Sequence, residues 1–301
     1  MLSVTTLGIN SALPAYGRHP TSQVIHLDNL SIMVDCGEGT QMQMLKYKVK
    51  RGRLDYIFIS HLHGDHYLGL PGLLNSLSLS GRTSELHVYA PAALEEILQL
   101  HFKVANTSIN FPLHFHALPI SEGKLLETNA FQVDTFLTEH RIECHGFVFK
   151  EKKNPRSIDA EKVKSYDIPY SFYDQLQMGE DFVQTNGYVV YNKELTLANT
   201  PSKSYAFCAD TRYIESFIPY VQGVDMLYHE ATYLDDLQEK AYERYHSTSK
   251  QAATLALKAD VKRLLIGHFS SKYEYLDMFL EEAKSVFSNT EIAKEGFTFD
   301  V

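Results

Sequence analysis

Directly after a strand-like buried run, Tyr56–Ser60, the chain places Ser60-His61-Leu62-His63-Gly64-Asp65-His66. Four potential metal ligands, His61, His63, Asp65 and His66, lie within these few residues, a spacing too specific for an ordinary polar loop. In a tight turn after a strand, His61 and His63 can face one point, and Asp65 and His66 a second point a few ångströms off. Gly64 lets the backbone turn sharply between the two pairs. Imidazole with carboxylate suits Zn²⁺, with Mn²⁺ a lesser fit. So short a segment cannot close two metal sites, so the fold has to end other strands beside this one. Three candidates stand at strand ends: His140 after Phe131–Thr138, Asp210 after Tyr205–Cys208, and His268 after Leu264–Ile266. Singly, a histidine after a strand is more often a surface or core residue. Jointly, the three converge on one edge of a sheet. His145 is ambiguous, and His19, His26, His87, His101, His114 and His116 read as structural.

Strand-like and helix-like patterns alternate from end to end. Val4–Ile9, Gln23–Leu27, Ile32–Asp35, Tyr56–Ser60 and Leu86–Tyr89 form a first batch of strands. The second batch is Phe131–Thr138, Gly146–Phe149, Tyr188–Tyr191, Ser204–Cys208, Met226–His229 and Arg263–Gly267. Thr40 is placed to cap a helix through Leu45, and Pro71 suits the first turn of a helix over Gly72–Leu79. Pro91 opens a helix carrying Leu94, Ile97, Leu98 and Leu100 at roughly helical spacing. Ser249–Leu257 and Tyr275–Val286 follow as helices. Two batches of strands, each followed by helices, predict an α/β chain of two sheets packed face to face with helices outside. The 301 residues read as one domain, with 44% hydrophobic and 22% charged residues excluding a disordered or fibrous chain.

No apolar run approaches the ~20 residues of a membrane span, and the N-terminal Met1-Leu2-Ser3-Val4-Thr5 lacks the basic start and apolar core of a signal peptide. Cys36, Cys144 and Cys208 form an odd set without metal-ligand spacing, which reads as reduced thiols in the cytoplasm. A formal charge of −9 argues against a generally basic nucleic-acid-coating protein and leaves room for local basic patches. Lys46, Lys48, Lys50, Arg51 and Arg53 form one such patch, read either as a solvated loop or as a contact for backbone phosphates. One polar break, 151–181, interrupts the pattern as an excursion from the domain. It carries Lys152, Lys153 and Arg156 as further candidate phosphate contacts, which the resemblance given below turns into candidate RNA contacts. Asp35, after its strand and before Gly37 and Gly39, can orient a ligand imidazole or simply shape the turn.

These stretches together resemble the metallo-β-lactamase superfamily and, within it, the ribonuclease Z family of tRNA 3′-processing endoribonucleases. The resemblance is carried by Asp35-Cys36-Gly37-Glu38-Gly39-Thr40-Gln41, by His61 to His66, and by His140. It continues through Ala209-Asp210-Thr211-Arg212, His229-Glu230-Ala231-Thr232, His246-Ser247-Thr248 and His268. It implies a four-layer αβ/βα sandwich with a protruding arm and a site at the strand edge. One Zn²⁺ would be held by His61, His63 and His140 and another by Asp65, His66 and His268, with Asp210 bridging. The implied reaction is hydrolysis of the phosphodiester 3′ to the discriminator nucleotide of precursor tRNA by a homodimer. Asp65 would guide the water, and Glu230 with His246 would supply the proton the leaving oxygen needs. The excursion matches in position an arm that grips tRNA, yet from Ser165 to Phe182 it holds four acids and no Lys or Arg. That departure keeps open a small-molecule phosphodiesterase of the same fold; an RNA-binding relative without catalysis is a further rival, and the complete set His61, His63, Asp65, His66, His140, Asp210 and His268 speaks against it.

Overall fold

The computed structural model describes residues 2–153 and 156–301. Met1, Asn154 and Pro155, which enter the readings of the N-terminus and the excursion, lie outside the described residues. The first half of the chain runs through β1 (Leu2–Gly8), β2 (Ser22–Leu27), β3 (Leu30–Cys36), β4 (Leu54–Phe58), β5 (Leu86–Ala90) and β6 (Leu113–Ala117). It then crosses to β7 (Gly123–Glu127), β8 (Phe131–Leu137) and β9 (His145–Glu151). A separate unit holds β10 (Arg156–Ile158), β11 (Phe182–Val183), β12 (Val189–Val190) and β13 (Thr196–Ala198). The chain returns through β14 (Ser204–Cys208), β15 (Met226–Glu230), β16 (Leu264–Gly267), β17 (Thr290–Ile292) and β18 (Thr298–Asp300).

Two seven-stranded sheets result, ordered β18-β1-β2-β3-β4-β5-β6 and β17-β16-β15-β14-β9-β8-β7. Each is half meander and half parallel: β3 to β6 run parallel in the first sheet, β14 to β17 in the second. The sheets pack face to face, with helices on the outer surfaces. Ile32, Val34, Phe58 and Tyr89 turn to the core shared with the second sheet, whereas Met33, Ile57 and Val88 turn to the outer layer. In that layer they meet Leu70, Leu73, Leu74 and Leu77 of the helix Leu70–Leu79. Burial on both faces explains why the central strands lack a polar side. Phe58 reaches across the interface to Phe147 and Phe149, with ring centroids 5.3 and 5.4 Å away. No described helix is long and apolar enough to cross a membrane.

Three local readings change. Thr40 is the first residue of the helix Thr40–Lys46 and donates from Oγ1 to the Gly37 carbonyl, while Gly39, at φ 84°, takes the cap position. In the helix Ala93–Val104 only Leu94 and Leu98 are buried; Ile97 and Leu100 face solvent beside Val104. The strand expected over Tyr188–Tyr191 is only Val189–Val190, paired with β11.

The excursion runs past Asp181. β10 pairs with β13 and β11 with β12, so the unit continues to Ala198. Val163, Ile168, Leu176, Val190 and Leu195 form a small core of its own. Asp159 caps its helix Ala160–Ser165 by accepting from the backbone N–H groups of Glu161 and Lys162. Asn192 donates to the Leu176 and Glu180 carbonyls and so ties the late part of the unit to the early part.

Candidate metal centre and active site

The parallel strands end at one edge, and the candidate ligands stand just beyond their last residues. The turn after β3 and the His-rich loop after β4 are pressed together at backbone level. A Cβ on Gly37 would lie 2.4 Å from the Asp65 carbonyl oxygen, and one on Gly69 would lie 2.1 Å from the Gly37 carbonyl oxygen. Only glycine allows that approach. β8 delivers His140, β14 Asp210, β15 Glu230 and β16 His268 to the same edge.

There His61, His63, His140 and Asp210 bring one ligand atom each within 4.8 Å of one another, as do Asp65, His66 and His268. Asp210 lies between the groups. Its Oδ2 is 3.7 Å from both His61 Nε2 and His140 Nε2, and its Oδ1 is 3.6 Å from His66 Nε2 and 3.2 Å from His268 Nε2. Asp65 Oδ2 sits 3.4 Å from both His66 Nε2 and His268 Nε2.

The partners behind the imidazoles decide which nitrogen faces the centre. His66 Nδ1 donates to Asp35 Oδ2 at 2.7 Å, His140 Nδ1 to the Tyr245 carbonyl at 3.0 Å, and His268 Nδ1 to Thr232 Oγ1 at 3.0 Å. His61 Nδ1 is 3.0 Å from Ser60 Oγ, which itself donates to Asp35 Oδ2. With these N–H groups committed outward, four Nε2 lone pairs point inward. His63 meets them with Nδ1, 3.1 Å from His61 Nε2 and 3.0 Å from His140 Nε2. Lone pairs this close repel unless a cation lies among them. Buried His66 Nε2 and Asp210 Oδ1 likewise have no hydrogen-bond partner. The donor set therefore fits divalent metal binding.

The electrostatics agree. Burial keeps His61 well below the usual imidazole range and His140 down at about 4, so both are neutral and ligand-ready. Burial would raise Asp210, but His268, His66 and His246 hold it well below the carboxylate range. His66 is the exception: burial pulls it down, yet Asp65, Asp210 and Asp35 push it well above its ordinary value. Three carboxylates demand positive charge at that point, and a divalent ion meets the demand without a proton.

Asp35 is fully buried at φ 55° and also accepts from the Ser60 backbone N–H at 2.8 Å. Alanine there would leave the Ser60 and His66 donors unpaired. Asp35→Ala is expected to weaken metal affinity by roughly 10–100-fold and folding by about 2–4 kcal/mol. Metal titration and urea unfolding of the variant measure the two effects.

Glu230, 1% exposed, sits behind His246. Its Oε1 accepts from the Thr211 and Ser247 backbone N–H groups and from His246 Nδ1 at 2.9 Å; its Oε2 accepts from Thr232 N and Oγ1. Five donors leave it no free lone pair for substrate, so it holds His246 in place. Burial pulls His246 down, but Glu230 and Asp210 push it up to about 9, which favours the protonated ring. The residues after it fix the loop: Ser247 Oγ donates to the Thr211 carbonyl, and Thr248 caps the helix Ser249–Lys258 in a capping box with Gln251.

A cavity of about 470 Å³ opens over the centre, lined by Asp65, Asp210, His246 and His268 and also by Ser11, Tyr233, Arg141, Lys240 and Arg244. The last three are cations that no local motif signalled. The candidate RNA contacts lie elsewhere. Lys48, Lys50 and Arg53 line a second cavity of about 290 Å³ with His26 and Thr298. They precede β4, whereas His61 follows it, which places them about 20 Å from the centre at ~3.3 Å per strand residue. Lys46 lies over the Tyr47 ring, and Arg51 is exposed in the same turn. Lys152 pairs with Glu127, Lys153 with Glu151, and Arg156 donates to Thr196. Cys36, Cys144 and Cys208 are buried free thiols, with Cys144 Sγ 3.5 Å from His61 Nδ1.

Residues 2–166 match the family model described as Anti-Pycsar protein Apyc1. That stretch includes His61 to His140 and stops short of Asp210, Glu230, His246 and His268. Over the whole length the chain is 41% identical to a ribonuclease Z of Porphyromonas gingivalis, covering 99% of each protein. It is 42% identical to a ribonuclease Z of Bacteroides fragilis, covering 96% of each. The fold superposes on the short form of human tRNase Z with a TM-score of 0.73 at 26% identity, covering 99% of both chains. It also superposes on the metallo-β-lactamase fold protein YhfI of Bacillus subtilis with a TM-score of 0.69 at 22% identity, covering 99% of this chain and 98% of that one. The chain belongs to the ribonuclease Z family, with a first half that also fits the family described as Anti-Pycsar protein Apyc1.

Proposed function

We propose that this chain, a metal-dependent hydrolase of the endoribonuclease type, removes the 3′ trailer from precursor tRNA by cutting one phosphodiester at the strand-edge centre. The observation that carries the reading is the convergence of five inward imidazole lone pairs on two carboxylates, in a chain related over its full length to ribonuclease Z. Zinc suits the donor set, with two ions per chain. His61, His63 and His140 would hold one, Asp65, His66 and His268 the other, with Asp210 shared between them. When bound, two such cations supply Lewis-acid charge to the phosphoryl oxygens and lower the pKa of a coordinated water.

The protein side of the reaction rests on the hydrogen bonds around the centre. Asp65, beside the second group, is placed to orient the attacking water. His246, charged and steered by Glu230, gives its proton to the departing 3′-oxygen. Thr232 links Glu230 to His268, so the proton donor and the metal ligand are braced by one hydroxyl. We place the enzyme in the cytoplasm with its thiols reduced. We infer a homodimer, for which the exposed Ile97, Leu100 and Val104 supply an apolar face. Cleavage of a precursor tRNA against hydrolysis of bis(p-nitrophenyl) phosphate tests the reading. Hydrolysis of the small ester alone would favour the small-molecule phosphodiesterase.

The unit from β10 to β13 is the candidate tRNA grip. Ser204 is paired with Lys150 across β14 and β9, so a short Gly-Ser turn can replace residues 153–201 without opening the sheet. This excision is expected to raise KM for precursor tRNA on the order of ten-fold, the mark of lost uniform binding, with kcat nearly constant. A cut ending at Asp181 would strand β12, β13 and half of the small core. Steady-state kinetics of the excised form decide the point; an unaltered KM would remove the unit from substrate binding.

A further inference from the structure

The metal centre accounts for the floor of its cavity but not for the charge at its mouth. Arg141, Lys240 and Arg244 line the same cavity and are exposed. Neighbouring cations are neutralised: Arg212 by Glu139 and Lys250 by Asp235. Among the described residues, none of the three mouth cations has a carboxylate partner.

Their placement is built into the fold. Lys240 and Arg244 are one helical turn apart at the end of the helix Gln238–Glu243, where the Arg244 N–H bonds the Lys240 carbonyl. The turn continues into Tyr245, at φ 60°, whose carbonyl holds His140, and then into His246. Arg141 directly follows His140. Arg212 is stacked on Tyr242 and Tyr245, 4.0 and 3.5 Å from their ring centroids, and donates to the Tyr242 carbonyl. It thereby clamps the segment carrying Arg244 to the loop carrying Arg141, since its Nη1 also reaches Glu139. Thus the mouth cations are tied to the ligand-bearing loops.

A single phosphodiester at the centre does not require them, but a chain of phosphates does. With a net charge of −9, the protein as a whole repels a polyanion, so attraction has to be local. We propose that Arg141, Lys240 and Arg244 form a phosphate-binding rim that holds the RNA backbone on either side of the scissile bond. This inference rests on the endoribonuclease reading of the same centre, and it names residues outside both the arm and the basic run before β4.

The test compares wild type with the triple variant Arg141→Gln, Lys240→Gln, Arg244→Gln and with the charge-preserving Lys240→Arg and Arg244→Lys. Metal content and circular dichroism are measured first. For the triple variant, kcat/KM on precursor tRNA is expected to fall at least about ten-fold more than on bis(p-nitrophenyl) phosphate. The slope of log(kcat/KM) against log[salt] should become shallower by ~2, at ~0.7 per lost single-strand contact. The charge-preserving variants should retain most of the wild-type value. Equal losses on both substrates, or an unchanged salt slope, overturn the rim. Fluorescence anisotropy with a single-stranded oligoribonucleotide separates the rim from the tRNA reading. Unchanged binding in the triple variant overturns the rim whatever the substrate. Weakened binding in that variant, with no tRNA cleavage by wild type, supports the rim and sinks the tRNA reading alone.

Discussion

Replacing Asp210 by alanine is expected to take the chain from the two metals proposed above to fewer than one and to lower hydrolysis of any phosphodiester by at least ~10³-fold. The magnitude follows from losing Lewis-acid stabilisation of several kcal/mol. This carboxylate faces both sets of candidate ligands, Oδ2 toward His61 and His140 and Oδ1 toward His66 and His268. Without it, the five imidazoles remain but the negative charge between them is gone. His66 then loses one of the carboxylates that draw positive charge to its ring. Asp210→Asn should be less severe in metal content than in rate, because one oxygen survives to face a single group. Metal analysis after gel filtration, together with bis(p-nitrophenyl) phosphate kinetics, reads both outcomes. Two metals and normal turnover in Asp210→Ala would dismiss the shared-ligand role.

The second large effect belongs to His246. Its loss to alanine should lower kcat on ribose leaving groups by roughly 10²–10⁴-fold, the scale of a general acid, while metal content stays at the wild-type value. A p-nitrophenolate leaving group needs no proton, so on that substrate most of the loss should vanish. Glu230 enters the proton transfer through His246, and through Thr232 it also braces His268. It accepts the Nδ1 proton at 2.9 Å and favours the charged ring, though bound cations nearby would pull that pKa back toward its ordinary value. Glu230→Gln should therefore show the same leaving-group dependence in weaker form. It should also cost stability, because an amide N–H₂ would meet the donors of Thr211, Ser247 or Thr232. A uniform defect across leaving groups would assign His246 to architecture instead of proton transfer.

The features legible from the residues in order are those that depend on short separations. His61, His63, Asp65 and His66 are legible because strand, turn and glycine lie within one loop, so their spacing already limits their geometry. The two-sheet architecture is legible for the same reason: strand and helix periodicities are local, and their grouping leaves few ways to cover both faces of each sheet. Cooperation among His140, Asp210 and His268 is local only as far as each stands at a strand end; the register that brings them within bonding distance is tertiary. Helix 93–104 shows the limit, since periodicity proposes Ile97 and Leu100 for the core but cannot say how wide a stripe the sheet will cover. The polar break near residue 151 is visible, but its far boundary is not, because β10 and β13 find each other across roughly forty residues of chain.

Tertiary structure alone decided the partners that aim the ligands. Nothing near Thr232 in sequence announces that it will meet His268, nor does Tyr245 advertise that its carbonyl will orient His140. It also decided the value of each cluster of charge. Five cations within eight residues at Lys46–Arg53 draw attention and land a strand's length from the centre. Arg141, Lys240 and Arg244, scattered among acids, are carried to its mouth. Charge acts through distance in space, and the sequence records only distance along the chain.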